Sequence, residues 1–473
     1  MFTLDHAVGK GTILVADRNI LPGALVIPPE QAILNFTEQF LTKFEHFKPY
    51  HKAVATFDIF INDLAIESRN RLLSLYGPTT GPYAESLRNF LLQKHQDIEV
   101  SIESVSLVNQ VETMVKVGSV SRLNLFHSEK SYFLFDNTSR MSHSCLPNCE
   151  IDIDGSTCVC RALSFIQAGE ELTIEYNDDL KLKYVPVRRR HYLTSKEFTC
   201  HCPRCAAIGD DTRQFDCVDP TCKGVMMVCQ PINKIPTNGD LCAYTGAEYV
   251  EPHLLPCTVC HRAASKDYQT EMFALESMLP QLSSQLASML NSMNKEKSRE
   301  LLDQILRMRL PRRHSAALPL LQIFCILERN HVNTTGPHRL DQLTHAVQEY
   351  IAALEGILTF PNNITCKEIV TIVTYCCQGL QHFPPAVPLL RKALRMHLIM
   401  CGRDARDCHI DQLLLSLLTR GSTSIVSSID GSARSEEDNK NGHGKGAAGE
   451  LCAFCEESPC MQPSPSVAAV SAR

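Results

Sequence analysis

The sequence predicts an α+β fold: a β-rich N-terminal domain broken by a helical insert, then a cysteine-bearing segment, then an all-α C-terminal domain. Three observations carry this reading. Short apolar runs bounded by turn signals occupy residues 12–27 and 158–176, which is how strands read. Apolar residues recur at three and four across residues 37–117 and again across 268–418, the spacing of amphipathic helices. Between these helical stretches, cysteines cluster over residues 200–260 at metal-ligand spacings.

At 473 residues the chain has room for two or three domains. Its net charge of −6 gives no reason to expect nucleic-acid binding. No signal core opens the chain and no apolar run reaches membrane-spanning length, so a cytosolic or nuclear protein without a membrane partner is expected. In that compartment the 22 cysteines read as thiols or metal ligands, not as a disulfide framework.

Taken in order, Thr12 to Asp17 reads as a strand, Leu21-Pro22-Gly23 as a turn and Ala24 to Ile27 as the return strand. Gly9-Lys10-Gly11 before it fits either a hairpin turn or a close approach of backbone to a ligand. Thr37 to Leu75 and Pro82 to Val117 read as helices, with Phe40, Phe44 and Phe47 on one face. Val120 to Phe135 reads as strand again. Asn137 to Asn148 fits neither period and is expected to be an irregular crossing segment. Strands follow at Cys158 to Phe165 and Leu172 to Tyr176, joined by the turn Gln167-Ala168-Gly169. Glu170, Glu171 and Glu175 read as solvated charges, and Arg188 to Arg190 as a solvated helix face.

Cys200, Cys202 and Cys205 give three thiols, one short of the four that tetrahedral zinc takes. Cys217, Cys222, Cys257 and Cys260 form two pairs suited to a second, ribbon-like zinc site, with Cys229, Cys242 and His261 as alternative ligands. Cys149, Cys158 and Cys160 read as packed thiols. Tyr268 to Leu418 reads as five or six helices in antiparallel hairpins, with Pro280 kinking or starting one. Breaks fall near Pro311, Gly336, Pro361 and Pro384. Basic residues such as Arg307, Arg309, Arg312 and Arg313 read as solvated. Residues 421–473 have the composition of a disordered tail, in which Cys452, Cys455, Cys460 and His443 leave a metal knuckle as a lesser alternative.

RMSHSCLPN at 140–148 resembles the R-x-x-N-H-S-C-x-P-N signature of SET-domain protein lysine methyltransferases. GEELTIEY at 169–176 resembles the family's G-E-E-L-T-x-x-Y, and GKGTILVADRNILPGALVI from Gly9 resembles its opening segment. RLNLFHS at 122–128 resembles its N-x-F element. The resemblance implies S-adenosylmethionine as cofactor, contacted by Gly9, Lys10, Gly11, Asn124, Ser139, Ser142 and His143. It implies Tyr176 as the catalytic residue and Phe198 as a wall of the lysine channel beside the cofactor. It also implies that Cys145 completes a zinc site with Cys200, Cys202 and Cys205, for two zinc ions in all. Two departures stand out. Ser142 replaces the Asn that usually precedes His-Ser-Cys, and Lys196 stands where the subfamily often has an aromatic.

The resemblance divides the chain into a split SET domain at 1–180 with its helical insert at about 37–119, a post-SET and zinc-binding region at 181–265, a helical domain at 266–420 and the tail. The C-terminal helices resemble those of SET and MYND proteins, themselves similar to tetratricopeptide arrays. Phe36 to Val120 holds no cysteine, so the MYND finger of that subfamily is expected to be absent. The implied function is protein-lysine N-methyltransferase acting on a histone or another protein, as a monomer. The alternative is a catalytically weakened, zinc-stabilised scaffold.

Overall fold

The computed structural model describes residues 1–7, 10–94, 107–128, 130–230, 252–291, 311–335, 340–377 and 383–402, with scattered positions between and beyond them. Gly9, Cys242, Arg307, Arg309, the break at Gly336 and the expected tail at 421–473 lie outside the described residues.

Strand β1 (Phe2–Ala7) pairs antiparallel with β2 (Gly11–Ala16), and β3 (Leu25–Gln31) follows. The turn at 21–23 therefore does not close the expected hairpin. β3 pairs instead with β9 (Thr157–Ala162), Leu25 facing Arg161, and β9 pairs with β8 (Cys149–Asp154). The reason is burial: Val26, Ile27, Cys160 and Ala162 are all nearly inaccessible and share one core with Leu14, Ile20, Met141, Ile166, Leu172 and Ile174. Long-range burial of these side chains, about 1.5–3 kcal/mol each for the larger ones, outweighs the local turn signal.

β4 (Leu34–Thr37) leads into the insert, where Thr37 caps α1 (Glu38–Leu41) by accepting from Phe40 N at 3.2 Å. Then come α2 (His51–Asn62), α3 (Ile66–Ser74), α4 (Pro82–Lys94) and α5 (Leu107–Asn124). Phe57, Phe60, Leu72, Leu87, Val115 and Val120 build their own core. Residues 120–124, expected as strand, instead finish α5, since Val117 and Val120 continue its buried face. The strands there are shorter: β5 (Phe126–Ser128) and β6 (Ser131–Leu134), in the sheet order β4-β6-β5.

The crossing segment is irregular as expected: one turn of 3₁₀ helix at Thr138–Arg140, then the two-residue strand β7 (Ser142–His143). β10 (Thr173–Ile174) runs parallel to β7, and α6 (Val185–Lys196) and the short α7 (Pro203–Ala206) follow. β11 (Gly209–Asp216) and β12 (Val225–Cys229) form an antiparallel pair between the cysteine groups. The described C-terminal helices are α8 (Lys266–Asn291), α9 (Leu318–Thr335), α10 (Leu340–Ile357), α11 (Asn363–Cys377) and α12 (Ala386–Met400). α8 runs on through Pro280. Their core is continuous with Phe215, Met226, Val228 and Leu254 of the cysteine-bearing segment. The whole is a mixed α+β N-terminal domain with cysteine clusters, followed by a helical C-terminal region.

Candidate active site and thiol clusters

One short segment, 169–176, assembles the site. On one side it meets β2: Val15 bridges Glu171, and Leu172 N donates to Leu14 O at 2.9 Å. On the other it meets β7, with Thr173 facing Ser142 and Ile174 facing His143. Backbone pairing thus brings the glycine-bearing opening, the crossing segment and Tyr176 together. Asn148 fixes the register. Its Oδ1 accepts from Thr173 N at 2.8 Å, and its Nδ2 donates to Glu171 O at 2.9 Å and to Glu170 Oε1 at 3.0 Å.

A half-buried carboxylate anchors the crossing segment. Glu30 of β3 accepts from Asp136 N (3.0 Å), Asn137 N (2.6 Å), Asn137 Nδ2 (3.2 Å), Thr138 N (3.1 Å) and Thr138 Oγ1 (2.7 Å). Such charge-assisted bonds are the strong kind, and they fix the path of the chain into Ser139 and His143.

Tyr176 donates its hydroxyl to Met141 O at 2.6 Å. Burial, with Glu171 and Glu175 adding to it, pushes its phenol above the ordinary value, so it stays protonated and acts as a donor. Its ring lies 5.2 Å from His143 and 6.4 Å, edge-on, from Phe198. Phe198 in turn stacks on Tyr192 at 5.4 Å.

His143 turns its ring inward. Nε2 lies 3.2 Å from Cys145 Sγ and Nδ1 3.3 Å from Glu175 Oε1, and the side chains of His143 and Glu175 are each 1% exposed. Burial pulls the imidazole down to about 3, so it is neutral, and pushes the Glu175 carboxyl up to about 7. Glu175 also accepts from Tyr192 OH. Glu175 is therefore no solvated strand-edge charge, as expected from sequence; Tyr192 and His143 enclose it. Glu171 is not free either. It takes Lys10 Nζ at 2.8 Å on both oxygens and Ser142 Oγ at 2.5 Å.

Asn124 is 8% exposed and donates to Tyr76 O (2.7 Å) and Val120 O (2.9 Å), while Ser139 Oγ reaches its carbonyl at 3.5 Å. Gly11 has φ +79°, which favours glycine, and a Cβ there would press on the Tyr76 ring at 3.2 Å. Lys196 closes α6 with Nζ on Leu123 O at 2.7 Å and 5.7 Å from the Tyr176 ring centroid.

The two thiol groups come together, the first with Cys145 as the resemblance implies and the second as the spacings imply. Cys145, Cys200, Cys202 and Cys205 place their sulfurs within 4.8 Å of one another, as do Cys217, Cys222, Cys257 and Cys260. The separations include 3.6 Å for Cys145–Cys205, 3.9 Å for Cys145–Cys200, 3.4 Å for Cys217–Cys260 and 3.7 Å for Cys222–Cys257. Four sulfurs about 2.3 Å from one zinc stand roughly 3.8 Å apart, so both donor sets fit that ion. Backbone N–H groups of Asp219, Gly224 and Val259 point at the second set's sulfurs at 3.4–3.5 Å, which favours thiolates. Gly224 is required there, because a Cβ would lie 2.4 Å from Cys257 Sγ.

Of the arginines expected to be a solvated face, Arg190 is exposed, but Arg188 and Arg189 serve the first set. Arg188 is fully buried with Nη2 3.7 Å from Cys205 Sγ, and Arg189 donates to Cys200 O (3.2 Å) and Cys205 O (3.0 Å). Arg204 reaches Cys145 O at 3.4 Å. A group of four thiolates around one divalent ion keeps net negative charge, and guanidinium groups beside it offset that charge. Cys149, Cys158 and Cys160 are packed thiols, each inaccessible to solvent.

Sequence reasoning missed Glu30, Met141, Glu171, Glu175 and Tyr192. Only Glu175 carried a usable signal, since a carboxylate between Ile174 and Tyr176 leaves an ionisable group inside a short apolar strand.

Known proteins resemble this chain over the same stretch. Residues 11–177 match the SET domain. Over 124 residues the chain is 34% identical to histone-lysine N-methyltransferase SMYD3 of Mus musculus, covering 26% of this chain and 28% of that protein. Over 70 residues it is 41% identical to a SET and MYND domain-containing protein of Dictyostelium discoideum, covering 15% of this chain and 16% of that one. The match thus spans little more than a quarter of SMYD3's length. The structure of Rubisco LSMT bound to AdoMet aligns over 92% of this chain and 93% of that one at 12% identity, with a TM-score of 0.28. Among the described residues, no helix is long and apolar enough to cross a membrane. The chain is a SET-domain protein related to the SMYD methyltransferases.

Proposed function

We propose that this chain is an S-adenosylmethionine-dependent protein-lysine N-methyltransferase of the SET and MYND type, without a MYND finger. The observation that carries the reading is the convergence of Tyr176 OH, Met141 O and the β2 opening on segment 169–176. Gly9, Lys10, Gly11, Asn124, Ser139, Ser142 and the His143 backbone would hold the cofactor. Lys10 and Glu171 side by side offer a cation and an anion, the complement of an amino-acid zwitterion, and glycine at 11 keeps the backbone approachable. When bound, S-adenosylmethionine supplies an electrophilic methyl group on a sulfonium.

The chain's own residues do the rest. Tyr176 donates from a protonated phenol, and with the Met141 carbonyl it marks the position at which methyl and amine are aligned. Phe198, backed by the buried Tyr192 on which it stacks, gives the acceptor's stem an apolar wall. The two thiol sets would each hold one zinc ion, the first fastening residues 200–205 against the crossing segment through Cys145. The substrate class is a lysine side chain of a protein, handled by a monomer. The domain limits are those read from the motifs, 1–180, 181–265 and 266–420, in a cytoplasmic or nuclear protein.

The scaffold reading draws on one observation: the Ser142 hydroxyl is already taken by Glu171. Calorimetry decides. S-adenosylmethionine should bind the wild type, and Ser142→Asn should tighten binding. No heat from either protein at millimolar cofactor contradicts the enzyme reading and leaves the scaffold.

A further inference from the structure

Lys196 holds its charge beside the site on backbone carbonyls alone. Its Nζ donates to Leu123 O at 2.7 Å, reaches Arg122 O at 3.5 Å, and faces the Tyr176 ring at 5.7 Å. Among the described residues no carboxylate pairs with it. Glu197, next in sequence, is held by Arg122 at 2.5 Å, Glu171 by Lys10 and Ser142, and Glu175 lies behind His143. The other charges that act on Lys196, Arg122 and Lys52, are positive as well.

We propose that Lys196 selects by charge at the transfer site: a fixed cation against Tyr176 that opposes a second positive charge there and admits the acceptor nitrogen only uncharged. The inference rests on the methyltransferase reading. Methyl transfer needs the nitrogen lone pair, and a lysine arriving as ammonium does not have one free. A like charge nearby disfavours the protonated form, as a neighbouring cation does for nucleophilic lysines generally. Burial and the two neighbouring cations pull Lys196 itself down to about 8, so its charge is only just held at neutral pH, and it answers to charge placed beside it. An aromatic side chain at the same place would do the reverse, since ring faces attract cations.

Two ligands that differ by one charge at the transfer position test this: S-adenosylmethionine, a sulfonium, and S-adenosylhomocysteine, its uncharged thioether. Their affinities are measured by calorimetry at pH 7 for wild type, Lys196→Met and Lys196→Arg, with Lys196→Gln as second neutral variant should the Met protein not fold. Removing the charge should favour the sulfonium over the thioether by about tenfold relative to wild type, the size expected of one partly screened like-charge contact. Lys196→Arg should keep the wild-type ratio. An unchanged ratio in the neutral variants, with both ligands bound, overturns the proposal alone. Failure of the wild type to bind either ligand overturns the methyltransferase reading and the proposal with it.

Discussion

Lys196 shows how one residue's surroundings set its chemistry. Burial, then Arg122 and Lys52, lower it from the ordinary 10.5 to about 8. Between pH 8 and 10.5 the unfolded chain therefore binds a proton that the folded chain does not, so stability rises with pH across that window. Against Lys196→Met, which does not titrate, the wild type should gain about 1–3 kcal/mol between pH 7.5 and 10 in urea unfolding. Parallel curves for the two proteins would mean that Lys196 is solvated. Tyr176, Ser142 and His143 were legible from sequence as a motif, yet their partners were not. Glu171 and Glu175 share a short strand with Tyr176, and nothing in GEELTIEY says which carboxylate faces Lys10 and which faces His143. That depends on two other strands, β2 and β7, from distant parts of the chain.

At the scale of elements, the cysteine groups were the most legible part. Spacing alone brought Cys217 and Cys222 to Cys257 and Cys260, because thiols that share an ion must sit a few ångströms apart. β11 and β12, whose connection carries Cys217 and Cys222 and whose second strand meets the segment of Cys257 through Leu254 and Thr258, went unseen among turn residues. Metal analysis of freshly purified protein should find two zinc ions per chain. Cys202→Ser should lose one ion and, with it, methyl transfer, because Cys145 ties that set to the crossing segment. Cys257→Ser should lose the other and chiefly lower the thermal midpoint, since Cys257 lies in the core shared with the C-terminal helices. One zinc or none in the wild type would contradict the pairing. Arg188 shows why charge runs mislead: three arginines in a row read as solvated, but α6 turns one of them fully inward onto Cys205.

At the scale of the molecule, the SET domain and the C-terminal helices meet through a buried polar junction directly after Tyr176. Lys181 is fully buried, pairs with Asp178 at 2.6 Å and reaches Asn363 Oδ1 at 3.3 Å, while Asn363 also donates to Asp178. α12 covers β8 and β9 from the same side. Lys181→Met keeps the stem and removes the charge, leaving the 44%-exposed Asp178 without its cation but open to water, and should cost about 1 kcal/mol, read as a lower urea midpoint. An unchanged midpoint would show Lys181 to be open to water as well. The helical periodicity announced these helices, but not that the first residue of α11 would meet the turn after Tyr176.

The most direct test of the whole account is transfer of a labelled methyl group from S-adenosylmethionine to proteins of a cell lysate and to histones, by wild type beside Tyr176→Phe. The substitution removes one hydroxyl, its bond to Met141 O, and no ring packing, so the fold should hold within about 1 kcal/mol. The account predicts methyl-lysine in acid hydrolysates of wild-type reactions and about a hundredfold less with Tyr176→Phe, at nearly unchanged cofactor affinity. Equal labelling by the two proteins, or none by a wild type that binds the cofactor, would contradict it.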